Sequence, residues 1–190
     1  MKFTLPKKDP DQIYNIRVKQ LFSLSNIEPY KALNYITDSN QIGKYKGKLL
    51  SDCTYEQVME IRSCQKMTID KISNFFKWVY GIPKKQFLKL RVLDFYKGLN
   101  YITKQSELLL QAFERTTENK INNAIWKKAG GDKFIKYGSY NPVLSLAFAL
   151  NKSITEIHNL SYGEVITMQQ YKNDYDNVIP KYHLLSTPKN

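Results

Sequence analysis

The chain has 190 residues, 42% hydrophobic and 24% charged, a globular balance that excludes wholesale disorder and suits one domain with a real core. No apolar run approaches the roughly 20 residues of a membrane span, and the opening MKFTLPKKDPDQ has acids at Asp9 and Asp11 where a secretion signal needs an apolar stretch, so a soluble, unsecreted protein is expected. The formal net charge is +12, but lysine supplies 25 and arginine 4 of the basic residues, and Lys, Asn, Ile and Tyr fill 71 positions; that bias follows an AT-rich base composition, raising non-specific affinity for polyanions without defining a nucleic-acid site.

Residues 1–10 contain Pro6 and Pro10 and read as an extended arm. Asp9 and Pro10 then supply a cap and a first helical position for a stretch with Ile13, Ile16, Leu21 and Leu24 on one face. A weaker helical stretch follows Glu28 and Pro29, with Leu33 and Ile36 in register, and 38–48, with two glycines and little periodicity, predicts a loop. Thr54 followed by Gln57 has capping-box spacing and announces a short helix containing Val58 and Ile61. Thr68 precedes the face Ile69, Ile72, Phe75, Phe76, Val79, which stops at Gly81 and Pro83, so a second helix ends near Tyr80.

The most regular spacing runs through Leu88, Val92, Phe95, Leu99, Ile102, Ser106, Leu109 and Phe113 in alternating steps of four and three. Gly98 lies inside it at a cost of about 1 kcal/mol relative to alanine, so the run is either one long helix or a kinked pair, with a central core role favoured over a self-association seam. From Thr117 to Lys128 the helical pattern continues through Ile121, Ala124 and Ile125 and ends at Gly130 and Gly131. Asn141 with Pro142, Ser153 with Glu156 and Ser161 with Glu164 are three start signals, so three short helices are expected to fill 141–174. Beyond Tyr175 come Pro180 and Pro188 without periodicity, and an extended tail is predicted. Nothing alternates as a strand. The expected fold is therefore all-α: an irregular helical bundle around one long central helix or kinked pair, with a small three-helix C-terminal corner and extended terminal arms. Its segments are an N-terminal arm with short helices (1–50), a central core (51–131), a small helical subdomain (132–174) and the tail (175–190).

Chemistry-bearing patterns are scarce. Gly43 and Gly47, Gly130 and Gly131, and Gly138 lack both the Lys-Ser/Thr ending and the preceding strand of a phosphate loop. His158 and His183 are the only histidines, Cys53 and Cys64 stand alone, and no paired carboxylate motif appears, so no enzyme, cofactor or metal is expected. The segment 74–97 interleaves seven aromatics with Lys84, Lys85, Lys89, Arg91 and other bases, the composition of a single-strand nucleic-acid platform. Most of those rings sit at core spacing, so packing is favoured, with Lys84, Lys85, Lys89 and Arg91 left as a rim for non-specific contact with nucleic acid or another polyanion. In PVLSLAFALNKSITEIHNLSYGEVI, residues Leu146, Ala147, Leu150, Ile154, Ile157 and Leu160 fall at helix-turn-helix positions, which makes a DNA-binding regulator reading through Lys152, Ser153, Thr155, His158 and Asn159 the alternative. Against it, the second helix would carry Glu156 and no arginine, and Asn151 stands where the turn usually has glycine.

The block YNPVLSLAFALNKSITEIHNLSYGEVITMQQYK resembles the C-terminal helical part of tail-assembly and virion-vertex proteins of tailed bacteriophages, and the residue bias resembles that of crAss-like phages. The likeness covers about 40 residues and transfers no functional residue. It implies a non-enzymatic structural protein made in the host cytoplasm and located in the virion: a component of the portal, neck or tail vertex, or internal cargo. Such a protein would partner other phage structural proteins as a homo-oligomer or multi-copy ring, with no membrane contact; a tail-assembly chaperone is a further alternative. Contacts are expected from the arm residues Phe3 and Leu5 and the tail residues Tyr182 and Leu184, apolar groups with no periodic helix to bury them.

Overall fold

A computed structural model of the chain describes residues 16–24, 33, 35–117, 127–128 and 130–186, with the side chains of 113–117, 138–140 and 184 excepted. Phe3, Leu5, the start at Asp9 and Pro10, residues 28–32 and 34 of the stretch opened by Glu28 and most of the continuation past Thr117 lie outside the described residues, while Leu33 is buried and Ile36 half-buried against the core. The fold is mostly helical, as expected, with one very small sheet. In chain order come α1 (Val18–Leu21), β1 (Gln41–Ile42), β2 (Tyr45–Lys46), a 3-10 turn at Leu50–Asp52, α2 (Tyr55–Ser63), α3 (Ile69–Tyr80), α4 (Lys84–Phe87) and α5 (Val92–Thr117). A second 3-10 helix at Gly131–Tyr140 leads into α6 (Asn141–Leu150), α7 (Ile154–Asn159) and α8 (Tyr162–Ser186).

Local chemistry accounts for most boundaries. Thr54 Oγ1 accepts from the Gln57 amide at 3.3 Å while Gln57 Oε1 accepts from the Thr54 amide, closing the box that starts α2. Thr68 caps α3, and Gly81 ends it at φ +69°, a left-handed position that a side chain disfavours. The regular spacing resolves into a single unbroken helix from Val92; Leu88 belongs to the turn that closes α4. Two expectations need correction. The stretch 38–48 holds a hairpin with Gln41 opposite Lys46 and Ile42 opposite Tyr45, its strands too short for alternation to register. The stretch from Tyr175 is helical as far as Ser186, with Pro180 inside the helix. A proline there removes one backbone bond and leaves the rest of the ladder in place, so α8 continues past the residue that reads as its end.

The core forms where α3, α4 and α5 meet. Phe76 is fully buried, with ring centroids 5.1 Å from Phe87, 5.7 Å from Phe95 and 5.6 Å from Tyr80. Phe75, Tyr80, Phe87, Phe95 and Tyr96 of the basic–aromatic segment are all buried, so these rings are not presented to solvent as a stacking platform. The hairpin segment lies over this cluster, fixed by Tyr80 Oη donating to the Ser39 carbonyl at 2.6 Å and Asn100 Nδ2 donating to that of Ile36 at 2.8 Å. Burial pushes the Tyr80 hydroxyl far above its ordinary pKa, keeping it a neutral donor.

Gly98 is the point of closest approach. A β-carbon there would lie 2.4 Å from Ile42 Cδ1 and 2.8 Å from Phe76 Cε1, so the residue that costs helix propensity is what lets the hairpin seat on α5. Gly98→Ala gains about 1 kcal/mol of helix propensity but forces a shift in a close-packed core costing roughly 1–3 kcal/mol. The expected outcome is a lower thermal midpoint than wild type, where the same change at an exposed helix position raises it.

Candidate docking surface

The C-terminal unit is held to the body at one joint. The first amide of α8, Tyr162 N, donates to the Cys53 carbonyl at 2.8 Å, and the first amide of α2, Tyr55 N, donates to that of Leu160 at 2.9 Å. Around this bridge Tyr55 stacks on Tyr162 at 5.7 Å and on His158 at 6.2 Å, and Arg62 Nη1 donates to Tyr162 Oη at 2.8 Å. Ile157 and Val165 are fully buried beneath.

Within the unit, α6 ends by placing Asn151 at φ +52°, with Lys152 N donating to Ala147 O and Asn151 N to Phe148 O. This is the paired-bond stop normally built on glycine, and asparagine is the side chain that best tolerates the left-handed region. Ser153 with Glu156 and Ser161 with Glu164 then start α7 and α8, each glutamate accepting its serine's amide at 2.9 Å. The Ser153 backbone and hydroxyl hold the Glu156 carboxyl below the ordinary glutamate range; the Ser161 hydroxyl and backbone do the same for Glu164.

The unit leaves several large apolar side chains uncovered. Helix α6 reads NPVLSLAFAL, apolar on nearly every side, a composition that belongs to a fully buried helix. One side is indeed covered, through Val143, Leu146 and Ala147, yet Phe148 is 86% exposed. Two grooves flank the helix and share Ala149 and Lys172. One, of about 750 Å³, is walled by Phe134, Tyr137, Leu144 and Phe148. The other, of about 770 Å³, runs between α6 and α8 and is walled by Leu146, Leu150, Met168, Tyr171 and Tyr175.

The residues singled out by sequence are dispersed. Tyr182 lies exposed on helix α8, not on an extended tail, and Leu184 is in the same helix with its side chain outside the described ones. Lys84 pairs with Asp70 at 2.5 Å and Arg91 with Asp94 at 3.0 Å, while Lys85 and Lys89 are exposed; backbone pairing of Arg17 with Arg91 adds Arg17 and Lys19 to this basic rim, a juxtaposition that no local pattern announces. Of the DNA-reading candidates, the Ser153 hydroxyl is spent on the cap, Lys152 pairs with Glu156 at 3.6 Å, and His158 lies against Tyr55, which leaves Thr155 and Asn159 exposed on a six-residue helix. Among the described residues no three His, Cys, Asp or Glu side chains cluster as metal ligands would. Sequence reasoning missed the groove walls Phe134 and Tyr137, because a 3-10 helix lacks the 3.6-residue period that pattern reading detects. No family model matches the chain, and neither a curated protein nor a solved structure is similar to it.

Exposure separates the roles of neighbours on α6. Phe148→Asp should shift stability by no more than about 0.5 kcal/mol, whereas Leu146→Ala, at a buried site, should cost about 2–5 kcal/mol; chemical denaturation of both variants measures the contrast. The glutamates add a pH dependence. Their folded pKa values are depressed, so their contribution is present above the unfolded glutamate pKa and is lost as pH falls from there through the lower folded values. Glu156→Gln and Glu164→Gln variants should therefore converge on wild-type stability at acid pH and fall below it near neutrality.

Proposed function

We propose that the chain is a non-enzymatic assembly protein of a tailed-bacteriophage particle, a component of the portal, neck or tail vertex or internal cargo, which engages a neighbouring subunit at the groove beside Phe148. The observation that carries the reading is the uncovered side of α6. A helix apolar on almost every side, flanked by two apolar grooves and with a nearly bare phenylalanine walling one of them, has the surface of a contact waiting to be covered. The segment resembling phage tail-assembly and vertex proteins, Tyr140–Lys172, coincides with this unit, which supports the same reading.

The mechanism is burial without turnover. A partner presenting an amphipathic helix would fill the groove against Phe134, Tyr137 and Phe148, and full burial of the last contributes about 1.5–3 kcal/mol. Lys172 at the groove edge, paired with Asp176, leaves a polar rim around an apolar centre, the usual anatomy of a specific interface. The tail-assembly chaperone alternative would use the same surface transiently. A DNA-reading role draws less support, since the second helix of that unit is short and its starting residues are engaged with Glu156.

Particles produced with the wild-type or the Phe148→Asp gene, purified and quantified by mass spectrometry, test the reading. The wild-type chain should be present at fixed copy number and the variant depleted at least tenfold despite folding normally. Absence of the wild-type chain from finished particles points to the chaperone, and sequence-preferring duplex binding that persists at physiological salt points to the regulator; either outcome rejects the structural role.

A further inference from the structure

The C-terminal half of α8 carries a second apolar surface, and its spacing specifies an occupant. Met168, Tyr171, Tyr175, Val178, Tyr182 and Leu185 follow one another in alternating steps of three and four, which places them on one stripe of the helix. Tyr171 is 69% and Leu185 84% exposed, with Tyr175, Val178 and Tyr182 more than half exposed between them. The stripe begins at the α6–α8 groove, whose wall includes Met168, Tyr171 and Tyr175. Pro180 falls on the opposite side of the helix, two positions on from Val178 and two short of Tyr182, so the amide it lacks interrupts the outward side and leaves the seam intact.

We propose that this stripe is the interface between two copies of the chain, paired antiparallel through α8. The flanking charges select that partner and that direction. In heptad terms Met168, Tyr175 and Tyr182 occupy position a and Tyr171, Val178 and Leu185 position d, which puts Asp174 and Lys181 at successive g positions. Seven residues apart on one helix, the two are about 10 Å apart along the axis and cannot pair with each other. In an antiparallel pair g faces g, and the register that sets Tyr175 against the partner's Val178 also sets Asp174 against the partner's Lys181, on both sides of the two-fold axis. The same register places Tyr171 against the partner's Tyr182 and Met168 against the partner's Leu185, so the groove between α6 and α8 receives the end of the second helix. Every stripe residue then has an apolar counterpart and both charges are matched. A parallel pair would instead set Asp174 beside the partner's Ile179 and leave the charges unanswered. The neighbouring cation, Lys172, is already paired within the helix to Asp176.

The inference rests on the assembly reading only in taking bare apolar surface as contact surface, and it uses a face distinct from Phe148. Sedimentation equilibrium of the purified full chain tests it. A monomer–dimer equilibrium is expected, with the dissociation constant raised on the order of tenfold by Asp174→Lys or Lys181→Asp alone, since each change turns two attractive contacts into repulsive ones. The double variant Asp174→Lys/Lys181→Asp restores wild-type dimerisation, and Phe148→Asp leaves it unchanged. A chain that stays monomeric up to about millimolar concentration, a double variant no better than the singles, or a dimer lost with Phe148→Asp would each overturn the proposal. If dimerisation behaves as expected while Phe148→Asp still enters particles, the groove reading fails and the pairing of α8 stands.

Discussion

The first amides of a helix have no acceptor inside it, and this chain meets that shortage by tying helix starts together in pairs. At the joint between body and C-terminal unit, the first amides of α2 and α8 are exchanged across the bridge of Thr54 with Ser161. The same device recurs at the other end: Val18 N, at the start of α1, donates to Leu90 O, and Val92 N, at the start of α5, donates to Ile16 O, across the bridge of Arg17 with Arg91. Each joint brings two positive helix ends together, which alone is unfavourable. Acceptors placed beside them offset it: the carbonyls themselves, Gln57 Oε1 and the Glu164 carboxylate at one joint, and at the other Lys89 O for Arg17 and Asp94 for Arg91. Segments more than seventy residues apart in sequence are held in register by these exchanges, and the cores fill in around them.

Between the joints, packing is governed by the ring cluster about Phe76 and by the absence of a side chain at Gly98. The two features are one constraint, because the hairpin can donate Ile42 to the cluster only where α5 presents bare backbone. That arrangement also fixes what the lysines do. With the rings turned inward, the bases of 84–91 stand at the surface without stacking partners, and two of them are already engaged with carboxylates. Exposed pairs of this kind contribute little to stability.

How much of this was legible in sequence depended on range. The boxes at Thr54, Ser153 and Ser161 and the glycine stop at Gly81 were readable because cap chemistry is settled within four residues. The central helix was readable from its spacing, although Leu88 belongs to the preceding turn and Gly98, suspected as a kink, is a contact. The extended tail expected beyond Tyr175 is helical instead, because the spacing from Met168 to Leu185 runs straight through Pro180 and one proline interrupts a helix without ending it. The 3-10 helix at Gly131–Tyr140 has no such period, so the groove it walls could not be foreseen. The bridges of Arg17 with Arg91 and Thr54 with Ser161 join distant segments by backbone atoms alone, and no side-chain pattern encodes them. Phe148 was visible only as one more apolar position, since periodicity says that a residue belongs to a face and not whether that face is covered.

Charge distribution decides where such a chain can touch another. At a net charge of +12, two copies repel, and over contacts closer than the roughly 8 Å screening length at physiological salt that repulsion is felt locally. The excess is carried mainly by residues 54–131, while 132–190 holds nearly equal numbers of acids and bases. Most of the exposed large apolar residues, Phe134, Ile135, Phe148, Tyr171, Tyr175, Val178, Tyr182 and Leu185 among them, lie in the near-neutral part, while Phe22, Tyr35, Leu49, Met67, Leu108 and Leu110 are exposed outside it. The part of the chain with most exposed apolar residues is therefore also the part where close approach costs least in Coulomb energy. Under the proposed pairing of α8, the lysine-rich segment and the association surface fall in different parts of the sequence.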